Sequence, residues 1–206
     1  MRPLRLLLFG LFLLGFGALL GLVLFPAGPD RVISSFFASE PLPVLTPAVI
    51  LLTHLNSPPA LALYLLSLLG FLLYRRRKRE ALFAATAIIG TALLNSLLKA
   101  LVDRTRPEAR LVPIDSPSFP SWHSSTAMAL ALVLWWIFVR PLPPGKRRRL
   151  LTLLCFAWPL LIGFSRLWLN VHWCSDILAG WGLGMTVTAL ALLALFPARE
   201  SRHGAA

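Results

Sequence analysis

The sequence predicts an all-α integral membrane protein with six transmembrane helices and an interfacial helix in its first outward loop. Three observations lead there. The 206 residues are 57% hydrophobic and 14% charged, and their mean hydropathy of +0.76 exceeds what a soluble domain of this length carries. Six apolar stretches approach the roughly 20 residues that a helix needs to cross the hydrocarbon core. Most of the basic residues cluster at alternate ends of those stretches, as the positive-inside rule requires. The spans use up the chain, so 1–206 reads as a single transmembrane domain with no soluble catalytic domain beside it.

The spans are expected at 4–26, 58–74, 81–102, 122–140, 149–166 and 174–197. Arg2 and Arg5 precede the first, whose apolar run is longer than the roughly 7–15 residues of a signal-peptide core. It also lacks a small-x-small cleavage site, so it reads as a retained helix. Residues 27–57 form the first outward segment, in which "LTPAVILLTHLNS" (45–57) is apolar but too short to span, as an interfacial or re-entrant helix is. The next two spans are joined by "RRRKRE" (75–80), the fourth and fifth by "RPLPPGKRRR" (140–149), and the last outward excursion, around 165–173, is very short. Six spans put both termini on one side. "MRPLR", the two basic loops and "ARESR" (198–202) hold 14 of the 20 Lys and Arg, which makes that side cytoplasmic. The small size and absence of eukaryotic targeting signals point to a bacterial inner membrane, with the other face toward the periplasm. No internal repeat or low-complexity tract interrupts the pattern.

The formal charge of +12 does not indicate nucleic acid, because its basic residues form short clusters between apolar runs and line no groove. Cys155 and Cys174 fit neither a metal-binding spacing nor a disulfide framework and read as packing residues.

Three polar islands remain, all at outward helix ends: "KALVDRTRP" (99–107), "PSWH" (120–123) and "SRLWLNVHWCSD" (165–176). Ionisable groups at membrane depth are expensive and face a polar interior or carry function, so three islands at one depth suggest one site. Each suits an anion. Lys99 and Arg106 lie seven residues apart, on one face if the third span runs on to Pro107. Ser121 is placed to cap the fourth span and leave backbone N–H groups pointing outward, as an anion requires. Arg166 adds a planar fork of donors matched to phosphate oxygens. On a helical turn at the start of the last span, Asp176 can hold one ring nitrogen of His172 and leave the other facing the site. His172 then suits attack on phosphorus to give a phospho-histidine, and His123 suits the transfer of a proton to the leaving oxygen and from water.

Taken singly, these residues have blander readings. Lys99, Arg106 and Arg166 can be interfacial anchors whose stems lie along the apolar surface, Ser121 only a cap, and His123 a satisfied polar residue. The His172/Asp176 pair can be two metal ligands, although no further ligand completes a shell and three nearby cations would repel a metal. Asp103 and Arg104 read as solvated or paired, Arg110 and Asp115 as loop residues, His54 as lacking a partner and His203 as part of a tail. An anion transporter would spread its polarity through the membrane interior, whereas here it gathers at one face.

The order Lys-x6-Arg-Pro (99–107), Pro-Ser-x-His (120–123) and Ser-Arg-x5-His-x3-Asp (165–176) resembles the signature of the type 2 phosphatidic acid phosphatase (PAP2) superfamily. The motifs occupy 99–176, and the six spans extend the likeness over nearly the whole chain. The resemblance implies a membrane lipid phosphatase with Lys99, Arg106, Ser121 and Arg166 on the phosphoryl group, His123 as acid/base, His172 as nucleophile and Asp176 as its partner. It implies no metal and no other cofactor. It also implies a substrate that is a lipid phosphomonoester or pyrophosphate: an isoprenoid pyrophosphate such as undecaprenyl pyrophosphate, or phosphatidylglycerophosphate or phosphatidate. Lipid A and a phosphotransferase reaction are the alternatives at the same site. One departure is visible, since Trp122 stands where the second motif commonly has glycine.

Overall fold

The structure is a computed structural model that describes residues 3–23, 28–39 and 42–197, and among these the regular elements are all helical. Helix α1 (Pro3–Ala18) ends in a π-helical turn (Leu19–Val23), followed by α2 (Pro29–Ser39), α3 (Thr46–His54), α4 (Pro58–Tyr74) and α5 (Lys78–Val102). Helix α6 (Trp122–Leu134) also ends in a π-helical turn (Trp135–Val139), and α7 (Lys146–Trp168) and α8 (Cys174–Leu195) complete the chain. Arg2, His203 and the whole "ARESR" cluster, with Arg199 and Arg202, lie outside the described residues.

With their π-helical turns included, α1, α5, α6, α7 and α8 are long and apolar enough to cross a membrane; α3 and α4 together make a sixth candidate, bent by 43°. Pro58 and Pro59 explain that break, because proline lacks the N–H an interior turn needs yet suits the first turn of a new helix. The expected short helix in 45–57 therefore exists, but it abuts α4 and packs on α7. Helix α2 was not anticipated. Its sequence, "PDRVISSFFAS", carries the cues of one: proline at its head, Asp30 in the first turn and apolar residues recurring at helical spacing. The predicted starts of the third and fifth spans fall three residues late, because the charged residues at 78–80 and 146–148 are themselves helical.

Helices α6 and α8 form the centre, with 72% and 67% of their apolar windows buried against 22% in α1. Helix α8 touches α1, α5 and α6; α7 packs on α6, and α4 packs on α5. Leu61, Leu65, Leu68 and Leu72 give α4 one buried stripe, which joins Phe83, Ala84, Ala87 and Ile88 of α5 in the core. In lipid, burial alone drives little helix association, so close backbone approach between small residues does more. Gly182 shows this: a Cβ there would meet the backbone of Leu14 and the carbonyl oxygen of Gly10. Gly182→Leu is expected to push α1 from α8 at a cost of about 1–3 kcal/mol. Thermal unfolding in detergent checks this, and an unchanged melting temperature would contradict it.

The basic loops meet at one end of the bundle, where the Arg77 guanidinium lies 5.8 Å from the Phe138 ring and Arg140 stacks 3.9 Å over Trp136. Both cysteines are free. The three polar islands gather at the opposite end.

Candidate active site

Helix α5 stops because Asp103 adopts a left-handed conformation, φ 45°, with its N–H returned to Lys99 O at 3.1 Å. This end falls short of Pro107, so Lys99 and Arg106 do not share a helix face as expected. They meet through the loop that follows. Lys99 Nζ donates to Pro117 O, and to Ser118 O at 3.3 Å. Arg106 donates from Nε to Ser116 O at 2.7 Å, and from Nη2 to Pro117 O at 3.1 Å and Ser116 Oγ at 3.2 Å.

Ser121 caps α6, accepting from Ser124 N–H at 3.4 Å and Ser124 Oγ at 3.0 Å. Its own N–H donates to Asp176 O at 2.9 Å, which ties the first turns of α6 and α8 together. Gly180 permits this approach, since a Cβ there would lie 2.7 Å from Ser121 O. Ser121 is fully buried, and the next two residues, Trp122 and His123, reach the cavity wall. Trp122, in the glycine position of the motif, thus walls the cavity; its ring meets that of His123 edge-on at 5.4 Å. Asn56 holds this helix start from outside, donating to His123 O at 3.1 Å and Thr126 Oγ1 at 3.0 Å.

Arg166, in the last turn of α7, donates from Nη1 to Thr53 Oγ1 of α3 at 2.6 Å, while its buried Nε has no partner among the described residues. His172 sits in the α7–α8 connection, one residue before the cap of α8, so it is not on a helical turn as expected. The pairing forms nonetheless. Asp176 Oδ2 accepts from Trp173 N–H at 3.0 Å, a capping-box contact, and lies 3.3 Å from His172 Nδ1. On the other side of the ring, Arg106 Nη1 is 3.1 Å from Nε2. A guanidinium only donates, so Nε2 accepts and is unprotonated, and Nδ1 carries the proton toward Asp176.

These groups enclose a cavity of about 260 Å³ lined by Lys99, Arg106, Trp122, His123, Arg166 and His172, with Pro58, Ile114 and Ser116 at its edge. Three cations and a neutral ring nitrogen facing one small space suit a tetrahedral oxyanion. Among the described residues, no three His, Cys, Asp or Glu side chains come together as metal ligands would. Burial lowers Arg106 to about 10, so it stays cationic at neutral pH. Burial, reinforced by Arg106, Arg166 and Lys99, holds His172 well below the usual histidine range. The unfolded chain therefore binds a proton at His172 before the folded one does, and stability falls as the pH drops below about 6.5. The parent is expected to lose more melting temperature between pH 7 and pH 5 than His172→Asn; equal slopes would refute the buried neutral ring.

Sequence reading missed one part of this end. Arg104, expected to be solvated or paired, is 8% exposed and bridges two carboxylates, Asp176 Oδ1 at 2.6 Å and Asp30 Oδ2 at 2.9 Å. Asp30 had not been singled out; its only signal was its place at the head of an amphipathic stretch. Arg110 and Asp115 are exposed loop residues and His54 is exposed on α3, in keeping with expectation.

The PAP2 superfamily profile matches residues 80–200, which carry every cavity-lining residue except Pro58. The chain belongs to the PAP2 superfamily. Phosphatidylglycerophosphatase B of Bacillus subtilis strain 168 is 33% identical over 159 residues, covering 76% of this chain and 78% of that protein. Decaprenylphosphoryl-5-phosphoribose phosphatase of Mycobacterium tuberculosis is 35% identical over 131 residues, 61% of this chain and 67% of that protein. The crystal structure of a transmembrane PAP2-type phosphatidylglycerolphosphate phosphatase from Bacillus subtilis superposes with a TM-score of 0.74 at 28% identity, covering 92% of this chain and 94% of that one. This chain is accordingly a multi-pass membrane phosphatase of the PAP2 superfamily.

Proposed function

We propose that this protein hydrolyses phosphatidylglycerophosphate, phosphatidate or an isoprenoid pyrophosphate at the outer face of a bacterial inner membrane, through a phospho-histidine at His172. The observation that carries this is the orientation of one ring: His172 Nε2 faces the cation-lined cavity while Nδ1 is turned to Asp176. In the first step Arg106 Nη1 turns its hydrogen bond from Nε2 to a phosphoryl oxygen, which frees the Nε2 lone pair; Nε2 then attacks phosphorus and the bond from phosphorus to the leaving oxygen, ester or bridging, breaks. His123 donates a proton to that oxygen. In the second, His123 takes a proton from water, the water oxygen attacks phosphorus, and the P–N bond breaks to release phosphate and free His172. Lys99, Arg106 and Arg166 balance the charge on the equatorial oxygens in both steps. Ser121 supports the reaction as the cap that aims the start of α6, and Asp176 stabilises the cationic ring.

A lipid suits the surroundings. An apolar groove of about 570 Å³ lies between α4, α6 and α7, lined by Tyr64, Leu68, Leu130, Leu134, Leu154 and Trp158 among others. Trp158 also donates to Asn56 Oδ1 at 3.3 Å, and Asn56 holds His123 O, so the groove starts beside the site. A tail in the groove anchors the substrate while the cations take its head. The basic loops at the far end support a cytoplasmic location for that end, with the site on the outer face.

The test is phosphate release by the detergent-purified protein, with EDTA present, from phosphatidate, phosphatidylglycerophosphate, undecaprenyl pyrophosphate and lipid A. Release is expected to persist in EDTA, with phosphatidylglycerophosphate or undecaprenyl pyrophosphate fastest. A folded protein that releases phosphate from none of the four would overturn the reading, and lipid A alone as substrate would overturn the choice of lipid.

A further inference from the structure

We propose that Asp30, on α2 and far from the three motifs in sequence, is a positioning residue for phosphoryl transfer: it shares Arg104 with Asp176 and so leaves Asp176 the negative charge that supports His172. This rests on the phospho-histidine reading above. Asp30 is 2% exposed and makes a full set of contacts. Oδ1 accepts from Ser175 N–H at 2.9 Å, and Oδ2 accepts from Arg104 Nη2 at 2.9 Å and from Ser175 Oγ. Arg104 Nη1 reaches the two residues of the next link, Ser175 Oγ at 2.8 Å and Asp176 Oδ1 at 2.6 Å. The chain Asp30–Arg104–Asp176–His172 is therefore continuous and buried.

Charge explains why two carboxylates share one guanidinium. Arg104 facing Asp176 alone would neutralise it, and the cationic ring formed when His172 takes a phosphoryl group would lose its counter-charge. With Asp30 on the other side, the cluster carries a net negative charge before attack. Buried ion chains of this kind add little stability over apolar groups of the same shape, so a catalytic role accounts better for this one. Helix α2 is held in register by an independent contact one turn on, Ser34 Oγ to Asn170 Oδ1 at 2.8 Å.

Asp30→Asn keeps the shape and removes the charge. On phosphatidylglycerophosphate in detergent micelles it is expected to lower kcat, measured per folded enzyme, at least tenfold, and the rapid-quench rate of phospho-enzyme formation with it, with KM within threefold; the melting temperature falls too, because the new amide NH2 accepts from neither Arg104 nor Ser175. Asp30→Glu, which restores the charge, is expected to recover part of kcat. Ser34→Ala, which loosens α2 without touching charge, is expected to keep parental kcat. Parental kcat in Asp30→Asn, an equal loss in Ser34→Ala, or a loss of kcat that only follows loss of folded protein in both Asp30 variants would overturn the proposal. His172→Asn is measured alongside: if it turns over like the parent, the phospho-histidine reading itself has failed, a result separate from any of these.

Discussion

Replacing His172 by asparagine is expected to lower kcat/KM for phosphate release by roughly 10⁴-fold or more, the scale seen when a nucleophile that works as one unit with its partners is removed. That corresponds to about 5.4 kcal/mol of transition-state stabilisation. The variant should still fold. The asparagine amide can take over the donation to Asp176, whose other contacts come from Trp173 N–H and Arg104, so no buried carboxylate is left unpaired. Binding should also survive, because Lys99, Arg106 and Arg166 still line the cavity; the inhibition constant for inorganic phosphate should stay within a few-fold. The checks are the rate of phosphate release, the melting temperature and loss of acid-labile phosphorylated protein in a quenched reaction. Activity within tenfold of the parent would remove His172 from the nucleophile's place.

The second large effect is expected at Arg106. Its guanidinium bonds Ser116 O, Pro117 O, Ser116 Oγ and Val171 O and also meets His172 Nε2. It therefore fastens the loop before α6 to the connection before α8, and it fixes the ring that attacks. Lysine keeps the positive charge but is a point donor without the planar fork. Arg106→Lys is expected to lower kcat/KM by roughly 10²–10³-fold, the range for loss of one preorganised donor at a charged transition state. Because the charge is retained, a purely electrostatic role predicts almost no change, so near-parental kinetics would show that the fork is dispensable. The same variant should speed hydrogen exchange at 116–118 and 171–173, a readout independent of activity.

Much of this was legible in the chain. The long apolar runs placed six helices within a few residues, since a bilayer-length helix leaves a pattern that needs no partner to be recognised. The polar islands gave Lys99, Arg106, Trp122, His123, Arg166 and His172, all of which line one cavity. What failed was the local geometry between them. Helical spacing suggested that Lys99 and Arg106 share a face and that His172 sits on α8; in fact both contacts are made by non-helical backbone, at the left-handed Asp103 and in the connection before Cys174. Periodicity says nothing about a chain that has left the helix. Ser121, read as a phosphate donor, is a fully buried cap whose hydroxyl accepts from Ser124, an orientation set by local hydrogen bonding that leaves the hydroxyl able to donate its own proton.

The sequence by itself determined that this is a helical membrane protein, that its polar chemistry lies at one end, and which side chains can take part, because hydrophobic length, charge distribution and motif order are properties of the chain alone. Only the tertiary structure decided which charges are buried together. Arg104 and Asp30 are 74 residues apart, and Ser175 and Asp30 are 145 apart; neither belongs to a periodic pattern. A charge is admitted to the interior only when its partners arrive there too, and that condition is met by packing α2 against α8, which no local stretch of the sequence records.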